Sequence, residues 1–257
     1  MSCLQLLEFE DQPWFPSLIR NFGTDFLQFL SNKTKMYDPI IPMLEKGVNA
    51  AKTENIVDLG SGGGGGMIWI NEKLRESHPL LDIHLTDLYP NKDAFQYMVS
   101  TADNFHFHDT PIDARGVPEK LQGLRTQFLS FHHFNPDDAT SILQNAVENK
   151  QPILIVEAQE RSVPSILAMI FSHLTLWLAT PFIRPFKWTR LLFTYLIPIT
   201  PLVVMWDGIV SALRTYSVTE LKSLVEKVDN SNTYTRQIEK VKGGPGILIY
   251  LYGEVAN

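Results

Sequence analysis

Several things are scarce in this chain. Cys3 is its only cysteine, so no internal disulfide framework can form and a reducing compartment is expected. No tract rich in Lys and Arg occurs and the formal net charge is −6, which argues against a binder of nucleic-acid phosphates. Met1 to Glu10 lacks a basic leader, so no secretory signal is expected and the setting should be cytoplasmic. Charged residues make up 19% of the chain against 44% hydrophobic ones, which excludes wholesale disorder. A chain of 257 residues can bury one large core or two small ones.

What the chain has in abundance is glycine at one place, Asn55-Ile-Val-Asp-Leu-Gly-Ser-Gly-Gly-Gly-Gly-Gly66. Ile56, Val57 and Leu59 form a short apolar run, the pattern of a buried parallel strand. The strand runs into the glycines, and Met67 to Arg75 then reads as a helix. Without Cβ atoms the backbone of such a turn lets a ligand approach closely, and its free N–H groups face an anionic or polar group. Gly60-x-Gly62-x-x-Gly65 matches the dinucleotide fingerprint, and five consecutive glycines satisfy more than one template. Asp82-Ile-His-Leu-Thr-Asp-Leu88 reads as a second strand ending at Asp87, an acidic group placed to accept hydrogen bonds from ribose hydroxyls.

The rest of the chain arranges itself around this unit. In residues 1–50, Leu18, Phe22, Phe26, Phe29 and Leu30 recur at helical spacing and predict a helical layer. It should cover the ligand, with Trp14 or Tyr37 reaching a substrate. Phe105 to Asp109 reads as a third strand leading to Asp113 and Ala114. Thr126 to Phe131 reads as a fourth, with Ser130 near its end and His132, His133 and Phe134 directly after. Pro152 to Glu157 reads as a fifth. From Ser162 to Tyr216 the composition turns apolar, interrupted by Pro181, Pro185, Pro198 and Pro201. Neither apolar run reaches the about 20 residues a spanning helix needs. A helical cap is expected there, and Trp177, Phe186, Trp188 and Arg190 also fit a surface that touches a membrane. A helix from Leu221 to Val228, a strand from Thr233 to Val241, a turn at 243–246 and a strand from Ile247 to Tyr252 close the chain.

These features together resemble a class I S-adenosylmethionine-dependent methyltransferase. The resemblance rests on Asp58-x-Gly60-x-Gly62-x-Gly64, on Asp87, Asp113 and Ser130-Phe-His-His133 at the ends of successive strands, and on the terminal hairpin. Phe182-Ile-Arg-Pro-Phe-Lys-Trp188, Asp207-Gly and Leu213-Arg-Thr-Tyr-Ser217 further resemble small bacterial methyltransferase-like proteins of unassigned substrate. The resemblance implies a Rossmann-like α/β fold, doubly wound, with a seven-stranded sheet whose last strand is antiparallel. It implies one domain over 1–257, with a core of 51–161 and 217–257 and a cap insertion at 162–216. It implies S-adenosylmethionine as cofactor. Gly60, Gly62 and Gly64, with Asp58 orienting their loop, would cradle its amino-acid end, Asp87 would hold the ribose and Asp113 the adenine, with Ser61, Leu88, Ala114 and Ser130 as further cofactor-binding residues. Five consecutive glycines are a looser loop than the family usually carries.

The expected reaction is methyl transfer to a small, hydrophobic or amphipathic acceptor. A hydroxyl or ammonium nucleophile needs a base, and His132, His133 and Asp207 are the candidates. Adjacent strand residues point to opposite faces, so only one histidine is expected to serve. Asp207, in an apolar run, would otherwise be neutralised by Arg214 or Arg190. Arg184, Lys187, Arg190 and Arg214 are placed to meet an acidic group on the acceptor. No metal is expected. The alternatives are a nicotinamide-dependent oxidoreductase, a cyclase-like enzyme using S-adenosylmethionine without methyl transfer, and a catalytically silent binder.

Overall fold

The computed structural model describes residues 6–228, 234–244 and 246–256, so Cys3, Thr233 and Pro245 lie outside the described residues. Among the described residues, seven strands form one sheet: β1 (Asn55–Leu59), β2 (Asp82–Thr86), β3 (Phe105–Phe107), β4 (Leu124–Phe128), β5 (Ile153–Glu157), β6 (Tyr234–Gly243) and β7 (Gly246–Val255). Their spatial order is β3-β2-β1-β4-β5-β7-β6. The first five run parallel, and β7 is antiparallel to both β5 and β6. The reason is local: Gly243 pairs with Gly246, so β6 and β7 are a tight hairpin and the second arm must run back. The expected Rossmann-like sheet with an antiparallel last strand is therefore present.

Strand alternation divides the core into two layers. Ile56, Leu85, Leu124 and Leu154 face α2 (Ile41–Ala50), α3 (Met67–Leu74) and α4 (Lys92–Thr101). Val57, Leu59, Ile153 and Ile155 face α5 (Pro136–Glu148) and α10 (Val218–Val228). Helix starts follow chemistry that can be read off the chain. Asn135 accepts hydrogen bonds from the Asp137 and Asp138 amides ahead of Pro136, and Asn91 caps α4 through the Ala94 amide.

The amino-terminal helix α1 (Ser17–Lys33) is the spine between the glycine turn and the apolar segment. Phe26 packs with Leu176, Ala179 and Ile183 on one side. On the other, the Asn32 side chain donates to the Gly65 carbonyl (2.7 Å) and accepts from the Trp69 amide (2.8 Å). The apolar segment folds as α6 (Val163–Ile170), α7 (Ser172–Ala179), α8 (Trp188–Leu191) running into a π-turn at Leu192–Leu196, and α9 (Ile199–Arg214). Asp25 of α1 and Arg190 of α8 form a buried ion pair that fastens this segment down.

Two expectations needed correction. The third strand is shorter than Phe105 to Asp109, ending at Phe107. The fourth ends at Phe128, because Leu129 adopts a left-handed φ of 52° and Phe131–His133 close a 3-10 turn. That turn changes the geometry of the two histidines.

Candidate active site

The glycine turn sits at the carboxyl ends of β1 and β2 and is held against α1. Gly62 has φ 53°, and a Cβ there would come within 3.2 Å of Thr24 Cγ2. At Gly63 a Cβ would lie 2.6 Å from the Thr24 carbonyl oxygen, so only glycine lets the turn pass this close to the helix. Gly64 packs on the Met98 sulfur instead, facing the core. Ser61 is consumed by the fold: its hydroxyl donates to the Asp58 carbonyl (3.0 Å) and accepts from the Thr86 amide (3.1 Å).

Asp58 is buried on β1 and accepts from the Thr126 hydroxyl at 2.7 Å. Burial pushes its carboxyl up to about 7, against the pull of the Ser61 and Thr126 hydroxyls. Asp87, at the end of β2, accepts from the Gly62 amide and the Tyr89 amide, each at 2.7 Å. Burial raises its carboxyl as well. Leu88 beside it is exposed. The Ile112 amide donates to the Asp87 carbonyl at 2.9 Å, which brings Asp113 and Ala114 alongside. Asp113 caps the 3-10 turn at Ala114–Gly116 and pairs with Arg115 at 2.6 Å, which lowers its carboxyl.

The loop after β4 meets the glycine turn on one side and borders a cavity on the other. A Cβ on Gly60 would lie 3.0 Å from Ser130 Oγ, and that buried hydroxyl has no hydrogen-bond partner. An unpartnered buried hydroxyl against the glycine turn is a candidate to meet a polar group of a cofactor. Leu129 and His132 of the same loop line the cavity, of about 420 Å³. Its walls are apolar side chains of α1, α6 and α9, such as Phe26, Leu27, Met169 and Val204; Asp207 and Ser211 join His132 at its polar part. Helix α1 borders both too, with Gly23 on the cavity and Thr24 on the glycine turn.

His132 is almost fully buried. Its Nδ1 lies 2.9 Å from Glu157 Oε2, and its amide donates to Glu157 Oε1 at 3.0 Å. Its Nε2 has no hydrogen-bond partner. His133 does not point to the opposite face, as a strand would require. In the 3-10 turn the two rings lie 4.3 Å apart. His133 Nδ1 lies 2.6 Å from Glu8 and 2.8 Å from Asp11. Burial alone would lower the His133 imidazole, but these carboxylates hold it well above its ordinary range and favour its charged form. Burial alone would raise Glu8, and the His133 ring and the Arg214 guanidinium beside it overcome that and bring it to about 2.

Glu8, Glu10 and Asp11 carry no motif, and no periodic signal in the sequence marks them. Their convergence on the histidines is set by the tertiary fold. The atoms of Glu8, His132 and His133 that could ligate an ion lie within 4.8 Å of one another. Arg214 already brings a cation there, 3.3 Å from Glu8 and 2.6 Å from Asp11. It also donates to the His132 and His133 carbonyls, at 3.1 and 2.5 Å. Its role here is to clamp the amino-terminal segment onto the histidine turn.

Asp207 lines the cavity, but neither Arg214 nor Arg190 neutralises it. Its carboxylate accepts from the Phe9 and Glu10 amides at 2.8 and 3.2 Å, and burial pushes it up to about 7. The candidate acceptor residues are dispersed. Trp14 is at the surface, where its ring meets Phe9 and Phe15 edge-on. Tyr37 is a core residue whose ring lies tilted, 4.6 Å from that of Phe128. Arg184 is exposed and donates to the Pro181 and Ile183 carbonyls. Lys187 and Arg190 are taken by Asp25, with Asp93 also on Lys187.

No protein-family model matches the sequence, and no curated protein matches it. Solved structures do. The plantazolicin methyltransferase BpumL, in complex with S-adenosylhomocysteine, superposes with a TM-score of 0.52 at 15% identity, covering 93% of this chain and 88% of that one. A methyltransferase dependent on S-adenosylmethionine from Aquifex aeolicus gives 0.51 at 13% identity, over 92% and 98% of the two chains. Human N-acetylserotonin methyltransferase, in complex with S-adenosylmethionine, gives 0.51 at 13% identity. This chain spans 57% of that protein's length while 91% of its own residues align. Likeness at such identities carries the fold, and the fold of this chain is that of the class I S-adenosylmethionine-dependent methyltransferases.

Proposed function

We propose that the protein transfers a methyl group from S-adenosylmethionine to a small apolar or amphipathic acceptor held in the cavity beneath α6 and α9. The observation that carries this reading is the loop after β4, which presents Ser130 to the glycine turn and His132 to the cavity. A donor at the glycine turn and an acceptor in the cavity would meet across one short loop. Gly60, Gly62, Asp87 and Ser130 would hold the cofactor, whose sulfonium supplies an already activated methyl group.

The chain's own task is then positioning, exclusion of water and proton removal. His132 is the base in this reading. With Glu157 on Nδ1, that nitrogen would carry the proton, and Nε2, which has no hydrogen bond and lies 3.9 Å from Glu8 Oε1, would be the basic one. A hydroxyl acceptor would give its proton to Nε2, and the cofactor, when bound, would supply the methyl group. His133 is unsuited to this step because Glu8 and Asp11 favour its charged form. Arg214 and Glu157 are positioning residues.

His132→Gln tests the assignment. It should abolish methyl transfer, read as acceptor mass gain in a panel of apolar hydroxylated compounds. It should leave the thermal upshift by S-adenosylhomocysteine intact. A variant with full turnover would remove His132 from the role. A wild-type protein stabilised by NADH and not by S-adenosylhomocysteine would overturn the reaction class.

A further inference from the structure

The outer face of α6 to α9 is built unlike the rest of the surface. Leu178 and Trp188 are each 77% exposed, Leu196 is 76% and Phe182 is 65%. Exposed apolar area on this scale marks a binding face. Phe9 joins this surface to the amino-terminal segment, with its ring 6.3 Å from Trp206 and 6.4 Å from the exposed Trp14. The chain has 28 acidic residues, yet between Glu160 and Asp207 there is none. Arg184 stands exposed within this face, with only the Pro181 and Ile183 carbonyls on its guanidinium.

No single helix among the described residues is long and apolar enough to cross a membrane. Two helix pairs have the composition, but one bends by 42° and the other by 77°. Apolar helices broken by bends, with exposed tryptophans and a cation among them, fit an interfacial segment. The same helices wall the cavity: Met169 and Ser172 are half-buried against it while Leu167, Phe171, Leu174 and Leu178 are exposed.

We propose that the outer face of α6–α9 docks on a lipid bilayer with an anionic surface. The segment 161–206 carries no acidic side chain of its own, and the Asp93 carboxylate that reaches it is paired with Lys187; this charge pattern selects the occupant. A chain of net charge −6 is repelled by anionic headgroups everywhere except where its acids have been removed. Apolar burial supplies the affinity, and Arg184 meets a headgroup phosphate. Docking places the cavity wall against the lipid phase, from which an apolar acceptor can enter. This last step rests on the methyl-transfer reading; docking itself does not, and its test involves no turnover.

The test is flotation of the full chain with vesicles of phosphatidylcholine containing phosphatidylglycerol, and with phosphatidylcholine alone. The wild type should float with the mixed vesicles and less with the neutral ones. Leu178→Ser, Phe182→Ser and Trp188→Ser should each lower the partition coefficient by roughly ten-fold, since each removes one buried apolar side chain. Trp188→Phe should keep binding, and Leu196→Ser gives a second reading if one of the serine variants does not fold. A wild type that stays at the bottom with both vesicles overturns the proposal. So do serine variants that float as well as wild type. A dimer in sedimentation that Trp188→Ser splits, without vesicle binding, would assign the face to a second copy of this chain.

Discussion

Asp25→Ala should be among the most damaging single substitutions in this protein, although it lies in no motif. Asp25 and Arg190 are 2% and 1% exposed, and their ion pair joins α1 to α8. Without the carboxylate, the guanidinium keeps the Ile183 and Pro185 carbonyls at 3.3 and 3.1 Å and the Phe22 ring at 5.5 Å. None of these is a counter-charge. Breaking a buried pair from one side costs about 3–5 kcal/mol. The two carbonyl acceptors argue for the lower end, about 3 kcal/mol. For a chain of this size that corresponds to a fall in Tm of roughly 6–12 °C. Differential scanning calorimetry should show it directly. The decisive companion is Asp25→Ala with Arg190→Met, which removes both buried charges, leaves Lys187 to Asp93 and keeps apolar volume, and should recover most of the loss. A single variant within about 2 °C of wild type, or a double variant no better than the single, would refute the reasoning.

Two further outcomes follow from the site. Asp87→Ala should weaken S-adenosylhomocysteine binding by roughly ten- to hundred-fold, the cost of losing a charged hydrogen-bond acceptor; titration calorimetry with unchanged affinity would remove Asp87 from the cofactor site. Asp58→Asn should alter the pH profile of stability. The carboxyl rises from 3.8 unfolded to about 7 folded, so between those values the native state binds the extra proton and wild-type stability falls as pH rises. The amide variant should lose that fall and exceed wild type in Tm above neutrality, and parallel Tm–pH curves would contradict the assignment.

The sheet could be read from the chain because its signals are local. Ile56-Val-Asp-Leu59 and Ile153-Leu-Ile-Val156 are apolar at every position or nearly so, which suits strands covered on both faces. The glycines after the first strand, Asp87 after the second and the hairpin at Gly243 are short-range devices as well, and each sits where its neighbours in sequence predict. The site was legible only in part. His132 and His133 were visible as a pair, yet a strand was expected under them, and one left-handed residue, Leu129, turned them onto the same side. That choice comes from packing after β4, not from the preference of leucine. The arginines show the same division. Arg184, Lys187, Arg190 and Arg214 are all basic residues in an apolar stretch, and nothing local distinguishes them. Burial does: Arg190 and Arg214 are enclosed and had to find carboxylates from the first 25 residues, while Arg184 remained in solvent. Glu8 and Asp11 gave no signal at all, because their meaning depends on partners more than a hundred residues away. Periodicity and turn chemistry act over a few residues and specify elements; charge pairing across the fold acts through burial and specifies the site.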